Sequence, residues 1–268
     1  MGVPGTRGAP PPEIEKSELF AVDAYRRSFD STVLAVDREQ NRVALARTAF
    51  YPGGGGQPHD VGTLRWDGGS ARVTRVKRDA GRIWHWLDAE DPSSAEASRA
   101  PLPSASTEVL GELDWERRHT LMRTHTALHI LCGVIWSEYR IAVTGGNMEP
   151  GRGRLDFPLD HIDTGLGRRV ERRINEEVDR AREVLVDFLD RSEADLDPAL
   201  IRTAVGLIPR EIDPLRVIDI VGLDKQADGG THVADTAEVG RVAVTGTSSK
   251  GRSNKRIRIE LRDPPAPG

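Results

Sequence analysis

Cysteine occurs once in 268 residues, so no disulfide can form within the chain and the fold must be held by burial and hydrogen bonding. No apolar run approaches the roughly 20 residues that a membrane-spanning helix needs. The opening stretch from Met1 to Pro12 has neither the basic start nor the apolar core of a secretory signal. These absences predict a cytoplasmic protein with no membrane role. Positive charge is not in excess either: a formal net charge of -4 argues against indiscriminate coating of nucleic acid, which draws on clustered Lys and Arg. Any RNA contact must therefore use a local basic face. The glycine run Gly53 to Gly56 is not followed by the Gly-Lys-Ser/Thr that would hold a nucleoside triphosphate and magnesium, so chemistry driven by ATP is not expected.

What the chain does have is a pair of histidines, His125 and His129, four residues apart. On a helix of about 3.6 residues per turn these share one face and can grip a single ion. A lone His-x-x-x-His pair arises often by chance, and either imidazole can be an ordinary hydrogen-bonded core residue. About a hundred residues later Asp228 and His232 repeat the spacing around Gly229 and Gly230, whose freedom at positive φ lets a loop aim two ligands. Two such pairs predict one metal site. His119 lies about 600° around the helix from His125 and is left out of it. Cys132, three residues after His129, could stand in as a thiolate, but its apolar neighbours Leu131 and Val134 to Trp136 make core packing its default.

Short apolar clusters at Val33 to Val36, Val43 to Leu45, Val61 to Leu64 and Ile83 to Leu87, separated by Gly and Asp turns, predict a small β-barrel. Asp114 is the expected N-cap of a helix from Trp115 to about Tyr139 that carries His125 and His129. A second helix is expected from about Gly165 to Glu183, strands near Arg216 to Val221 and Val242 to Val244, and a short helix near Pro198 to Ala204. The class is α+β: an N-terminal small barrel followed by an α+β domain. The expected boundaries are a disordered leader over 1–17, a barrel domain over 18–90, a linker or insertion over 91–108, and a metal-binding domain over 109–264. Arg256 and Arg258, alternating with Ile257, Ile259 and Leu261, predict a strand with an outward basic side; with Lys250, Arg252 and Lys255 they form the available basic face. Edge strands also carry such charge as protection against pairing.

Several ordered motifs resemble the editing domain of alanyl-tRNA synthetase and the free-standing alanyl-tRNA editing proteins called AlaX. They are Thr48 to Gln57 with its glycine run, Arg117-Arg118, His125 to His129, Arg154 to Phe157, Gly229 to Val233, Asp235 to Gly240 and Ser249 to Ile257. The resemblance covers most of the chain. It implies a trans-acting aminoacyl-tRNA deacylase that removes serine, or glycine, from mischarged alanine tRNA at a divalent metal, with zinc the expected ion. It implies metal ligation by His125, His129 and His232, substrate contact by Gly54, Gly55, Gly56, Gln57, Gly229, Gly230 and Thr231, and tRNA contact by Lys250, Arg252, Lys255 and Arg256. Thr144, fifteen residues beyond His129, stands where the family places a threonine that bonds the serine side chain. No obligate protein partner is implied.

This chain departs from the family at Asp228, where the usual residue is Cys. A carboxylate is an acceptable zinc ligand, but it hardens the set and makes manganese or iron more competitive. Asp228 could instead bond a loop amide or a ligand imidazole and leave three histidines around the ion. Two other functions stay open at this level: a tRNA-binding module whose hydrolytic centre has decayed, and a metal-dependent hydrolase of a small ester.

Overall fold

The computed structural model describes residues 5, 8–88, 102–159, 165–194, 200, 212–249 and 254–262. The chain forms two compact units, one of residues 12–54 and 58–119, the other of residues 1–11, 55–57 and 120–268.

The first unit holds α1 (Pro12–Ser17), α2 (Leu19–Val22), β1 (Ser28–Asp37), β2 (Arg42–Leu45), β3 (Gly62–Trp66), β4 (Gly69–Asp79), β5 (Arg82–Asp88) and β6 (Glu108–Leu113). The six strands close a barrel in the order β1-β2-β5-β4-β3-β6, and β1 pairs with both β2 and β6 so that no strand edge is left open. Phe29, Val33, Val43, Leu64, Val73, Val76, Leu87 and Val109 fill the interior, with Phe50 packed edge-on against Phe29. The apolar clusters read from the sequence mark β1, β2, β3 and β5. Strand β4 shows no such cluster because Arg72, Arg75, Lys77 and Arg78 interrupt the inward Ala71, Val73 and Val76.

Polar groups inside this unit satisfy one another. Arg118 is fully buried; its Nε lies 3.1 and 3.0 Å from the Asp60 carboxylate oxygens, its Nη1 donates to the Ala24 carbonyl at 2.8 Å, and its Nη2 donates to the Ala49 carbonyl. Asp60 also accepts from the Tyr51 amide at 2.7 Å. His85 sits in the barrel core with Nδ1 3.2 Å from the Val43 carbonyl and Nε2 2.9 Å from the Thr48 hydroxyl. A carbonyl only accepts, so Nδ1 carries the proton and Nε2 accepts from Thr48.

The second unit contains most of α3 (Trp115–Tyr139), together with β7 (Gly145–Glu149), β8 (Arg152–Phe157), α4 (Leu166–Asp179), β9 (Val184–Leu189), α5 (Arg191–Ala194), β10 (Leu215–Ile220), β11 (Asp224–Ala227), a 3-10 turn (Thr236–Val239), β12 (Arg241–Ser249) and β13 (Lys255–Arg262). The strands form a three-stranded sheet, β11-β10-β9, and a four-stranded sheet, β12-β13-β8-β7. The edge strand β12 is covered by α4: the Asn175 amide bridges the N–H and carbonyl of Val242, and Glu171 accepts from the Val244 amide. Helix α3 starts as expected, with the Asp114 carboxylate accepting from the Arg117 amide at 3.1 Å. It has no solvent face between Thr124 and Ile135, where every residue is buried. At Gly133 a Cβ would lie 2.8 Å from Leu223 Cγ and 3.0 Å from the Leu223 carbonyl oxygen, so only glycine lets the helix approach the turn that leads into β11.

Several boundaries differ from the sequence reading. Pro12–Ser17 is a helix, not an unstructured leader; Pro12 opens it, with Glu13 and Glu15 in its first turn and Lys16 in its last. The division between units falls after His119, because the barrel needs β6, which the expected boundary at 108/109 would split. Most of the expected linker and of the helix near Pro198 to Ala204 lies outside the described residues.

Candidate metal centre

Helix α3 sets His125 and His129 one turn apart with ring centroids 5.1 Å from each other. The loop after β11 delivers Asp228 and His232, and the His232 ring lies 4.3 Å from that of His125 and 4.8 Å from that of His129. The four side chains each offer one ligand atom, all within 4.8 Å of one another. His232 Nε2 is 3.0 Å from one Asp228 oxygen, and His125 Nε2 is 3.7 Å from the other.

The outer nitrogens explain the orientation of the rings. His125 Nδ1 lies 2.9 Å from Gln57 Oε1, His129 Nδ1 2.9 Å from Asp224 Oδ2, and His232 Nδ1 3.1 Å from the Thr126 hydroxyl. Amide and carboxylate oxygens accept, so His125 and His129 carry their protons on Nδ1 and turn Nε2 inward as a lone-pair donor. Gln57 is itself fixed, its Oε1 accepting from the Thr231 amide at 3.0 Å and its Nε2 donating to the Thr231 hydroxyl at 2.9 Å. Asp224 also accepts from Gln226 Nε2 at 2.7 Å.

The ligand loop is fastened at several points. Asp228 Oδ2 accepts from the Gly230 amide at 2.7 Å, and Arg216 Nη1 donates to the carbonyls of Asp228 and Gly230 at 2.9 and 2.8 Å. A Cβ on Gly230 would stand 2.4 Å from His125 Cε1 and 2.7 Å from Gln57 Oε1, so a larger residue here would displace a ligand.

Burial pushes the His125 imidazolium down to about 4, and burial likewise holds His232 well below the usual histidine range. Burial would raise the Asp228 carboxyl, but the attraction of His125 and the hydrogen bond from His232 outweigh it and leave Asp228 well below the usual range. Neutral imidazoles and an ionised carboxylate are the protonation states that a divalent cation requires of its ligands. Three nitrogens and one carboxylate converging in a buried pocket fit a divalent ion.

A cavity of about 730 Å³ opens onto the cluster. His125, His129 and Asp228 form part of its wall, Leu128, Val143, Met148 and Leu155 supply apolar surface, and Arg216 contributes a cation. Of the residues expected to touch substrate, Gly55, Gly56, Gly229 and Thr144 line it. The Thr144 hydroxyl lies 3.0 Å from both the Asp156 carbonyl and Asn254 Oδ1. Gln57, Gly230 and Thr231 are buried and brace the histidines and the ligand loop. Gly54 belongs to the barrel unit, where its carbonyl accepts from the Tyr51 hydroxyl at 3.1 Å. Cys132 is buried at the cavity wall, its sulfur accepting from Gln226 Nε2 at 3.3 Å.

The expected basic face takes a different form. Strand β13 alternates as predicted but lies between β12 and β8, and Lys255 falls on its inward side with Ile257 and Ile259, where it is 5% exposed. Arg256 grips the buried Asp156 carboxylate through Nε and Nη2 at 2.7 and 2.9 Å. Lys250 and Arg252 lie outside the described residues. Asp224, Thr126 and Gln226 had not been assigned a role from the sequence; Asp224 meets a histidine 95 positions away, which no local spacing signals.

Residues 215–258 match the family described as the threonyl and alanyl tRNA synthetase second additional domain, and residues 17–100 match class II (A) tRNA synthetases. An alanyl-tRNA editing protein AlaX-M of Saccharolobus solfataricus is 35% identical over 90% of this chain and 96% of its own length. Another of that name, from Methanosarcina barkeri, is 33% identical over 91% of this chain and 98% of its own length. The alanine–tRNA ligase of Pyrobaculum calidifontis is 37% identical over 85% of this chain but only 25% of its own, much longer, sequence. With matches that span nine-tenths of this chain and nearly the full length of both editing proteins, the chain belongs to the AlaX-M family of alanyl-tRNA editing proteins.

Proposed function

We propose that this protein is a trans-acting deacylase that hydrolyses the ester joining serine, and also glycine, to alanine tRNA, with His125, His129, His232 and Asp228 holding a divalent ion. The observation that carries this reading is the convergence of those four ligand atoms, three of them from residues on the wall of a cavity, with the outer nitrogen of each imidazole tied to Gln57, Asp224 or Thr126. Zinc suits this donor set, and the carboxylate in place of a thiolate makes manganese and iron(II) stronger competitors. When bound, the ion supplies positive charge that either lowers the pKa of a water or fixes the aminoacyl group for attack.

The protein's own residues do the positioning. Gln57 and Asp224 hold His125 and His129 in one tautomer and orientation, Thr126 orients the His232 ring, and the Arg216 clamp keeps Asp228 in register with them. Gly55, Gly56 and Gly229 present bare backbone to the cavity, where the sugar and ester of the tRNA terminus would lie. Thr144 is the partner for a serine hydroxyl. Its hydroxyl, held by the Asp156 carbonyl and Asn254, has oxygen lone pairs that can accept from a serine hydroxyl, a bond that alanine cannot make.

The test is release of serine from alanine tRNA mischarged with serine, with purified protein as isolated, after chelation and after restoration of zinc, manganese or iron(II). Release that vanishes with chelation and returns with metal is expected, without ATP. Absence of release at every metal loading would overturn the reading in favour of a binding module with a decayed centre.

A further inference from the structure

On strand β5 the buried His85 and Leu87 alternate with Trp84 and Trp86, which therefore face outward from the barrel. The guanidinium of Arg42, on the neighbouring β2, lies 4.4 Å from the Trp84 ring centroid and 5.0 Å from that of Trp86. On the other side, β4 places Arg75 opposite Trp86, with its guanidinium 4.7 Å from the ring, and Lys77 opposite Trp84. The result is a ladder of indoles and cations across β2, β5 and β4. The nearby carboxylates of Asp37 and Asp79 are committed to Arg42, at 2.9 and 3.0 Å. Arg75 and Lys77 are exposed and make no ion pair among the described residues.

We propose that this outward face of β2, β5 and β4 is an RNA-binding platform, on which bases stack against Trp84 and Trp86 while Arg75 and Lys77 neutralise phosphates. Half-buried indoles held by cation–π contacts are rigid before any ligand arrives, and alternating aromatic and cationic groups match the π faces and charges of an RNA strand. The overall charge of -4 requires RNA contact to be local, and β13 supplies fewer cations than its sequence suggests because Lys255 is buried and Arg256 is bound to Asp156, which leaves Arg258 exposed. A protein partner would call for an apolar centre to the patch, whereas unpaired cations sit beside both indoles here. The proposal rests on the reading of tRNA as the substrate.

The experiment measures binding of uncharged alanine tRNA to the full chain over a salt series, beside serine release from a seryl ester of adenosine, which carries no phosphate and a single base and so offers the platform no strand to hold. For the double variant Arg75→Glu and Lys77→Glu we expect binding weakened about tenfold or more and a salt dependence shallower by about 1.4 to 1.8 for the two lost phosphate contacts. Hydrolysis of the adenosine ester should be unchanged. Trp86→Leu should weaken binding while leaving the salt slope as in the wild type, because stacking releases no counterions. Wild-type affinity and slope in the double variant, or no tRNA binding by the wild type, would overturn the platform. Tight binding by a wild type that hydrolyses neither the adenosine ester nor alanine tRNA mischarged with serine would instead overturn the deacylase reading and leave the platform standing.

Discussion

In the barrel unit the buried Arg118 guanidinium donates to Asp60 and to the carbonyls of Ala24 and Ala49, and His85 gives both ring nitrogens to Thr48 and Val43. In the second unit His125, His129 and His232 give their outer nitrogens to Gln57, Asp224 and Thr126 and turn the inner ones toward Asp228 and one another. Both sets are removed from water, where an unsatisfied polar group costs about 1–3 kcal/mol. The first is closed on itself and organises the barrel's loops. The second is anchored on its outer side and converges inward on Asp228, which is how ligands are arranged around a guest. Burial of a polar residue therefore does not distinguish structure from function; the direction of its last valence does.

The largest effect that would break this comparison concerns the closed set. Arg118→Met should cost the protein about 3–5 kcal/mol, because Asp60 is left as an uncompensated buried charge, and the double replacement Arg118→Met with Asp60→Leu should recover much of it. Denaturant unfolding of the single and double variants measures both, and a double variant no better than the single would mean that the pair organises the loops in a way apolar residues cannot replace.

Acidification comes next. The His85 imidazolium is pushed down to about 4, mainly by burial, while in the unfolded chain it returns to about 6.5. Between those values the unfolded state binds more protons than the folded one, so stability is fully present above pH 6.5 and falls as the pH drops toward 4. The loss is about 3 kcal/mol over that window. Unfolding of wild type and His85→Phe across pH 4 to 7 should show a shallower fall in the variant; parallel curves would assign the acid sensitivity elsewhere.

A smaller change is expected at the outer side of the open set. Asp224→Asn keeps the size of the residue but removes the charge behind His129, and metal affinity should fall by about 10–100-fold with the fold intact, as competition with a chromophoric chelator would report. Unchanged affinity would make Asp224 a packing residue. The finest contrast is Thr144→Val, for which serine release should fall more than glycine release, by about tenfold for one lost hydrogen bond. Equal losses on both substrates would remove Thr144 from side-chain recognition.

The local patterns were legible. Spacing of four within one helix places His125 and His129 together, Asp114 predicts the start of α3, and short apolar clusters between Gly and Asp turns mark four of the six barrel strands. Strand β4 was hidden by its outward basic residues and β6 by its position beyond a Pro- and Ser-rich stretch, since a period-two signal fades when few side chains on the inner face are large. Gln57 carried a recognisable motif but not its role: whether an amide meets substrate or braces an imidazole depends on its distance to a histidine 68 positions away.

By itself the sequence determined the ligand types, the two spacings of four that could hold one ion, and the barrel followed by an α+β domain. These are properties of residue identity and of periods shorter than a helical turn or two. Tertiary structure alone decided that the two pairs meet, that Asp224 stands behind His129, that Lys255 faces inward, and that two tryptophans and three cations share one side of the barrel. The first two depend on the close approach that Gly133 and Gly230 permit and the last two on strand order, and contacts between residues so far apart leave no periodic trace in the chain.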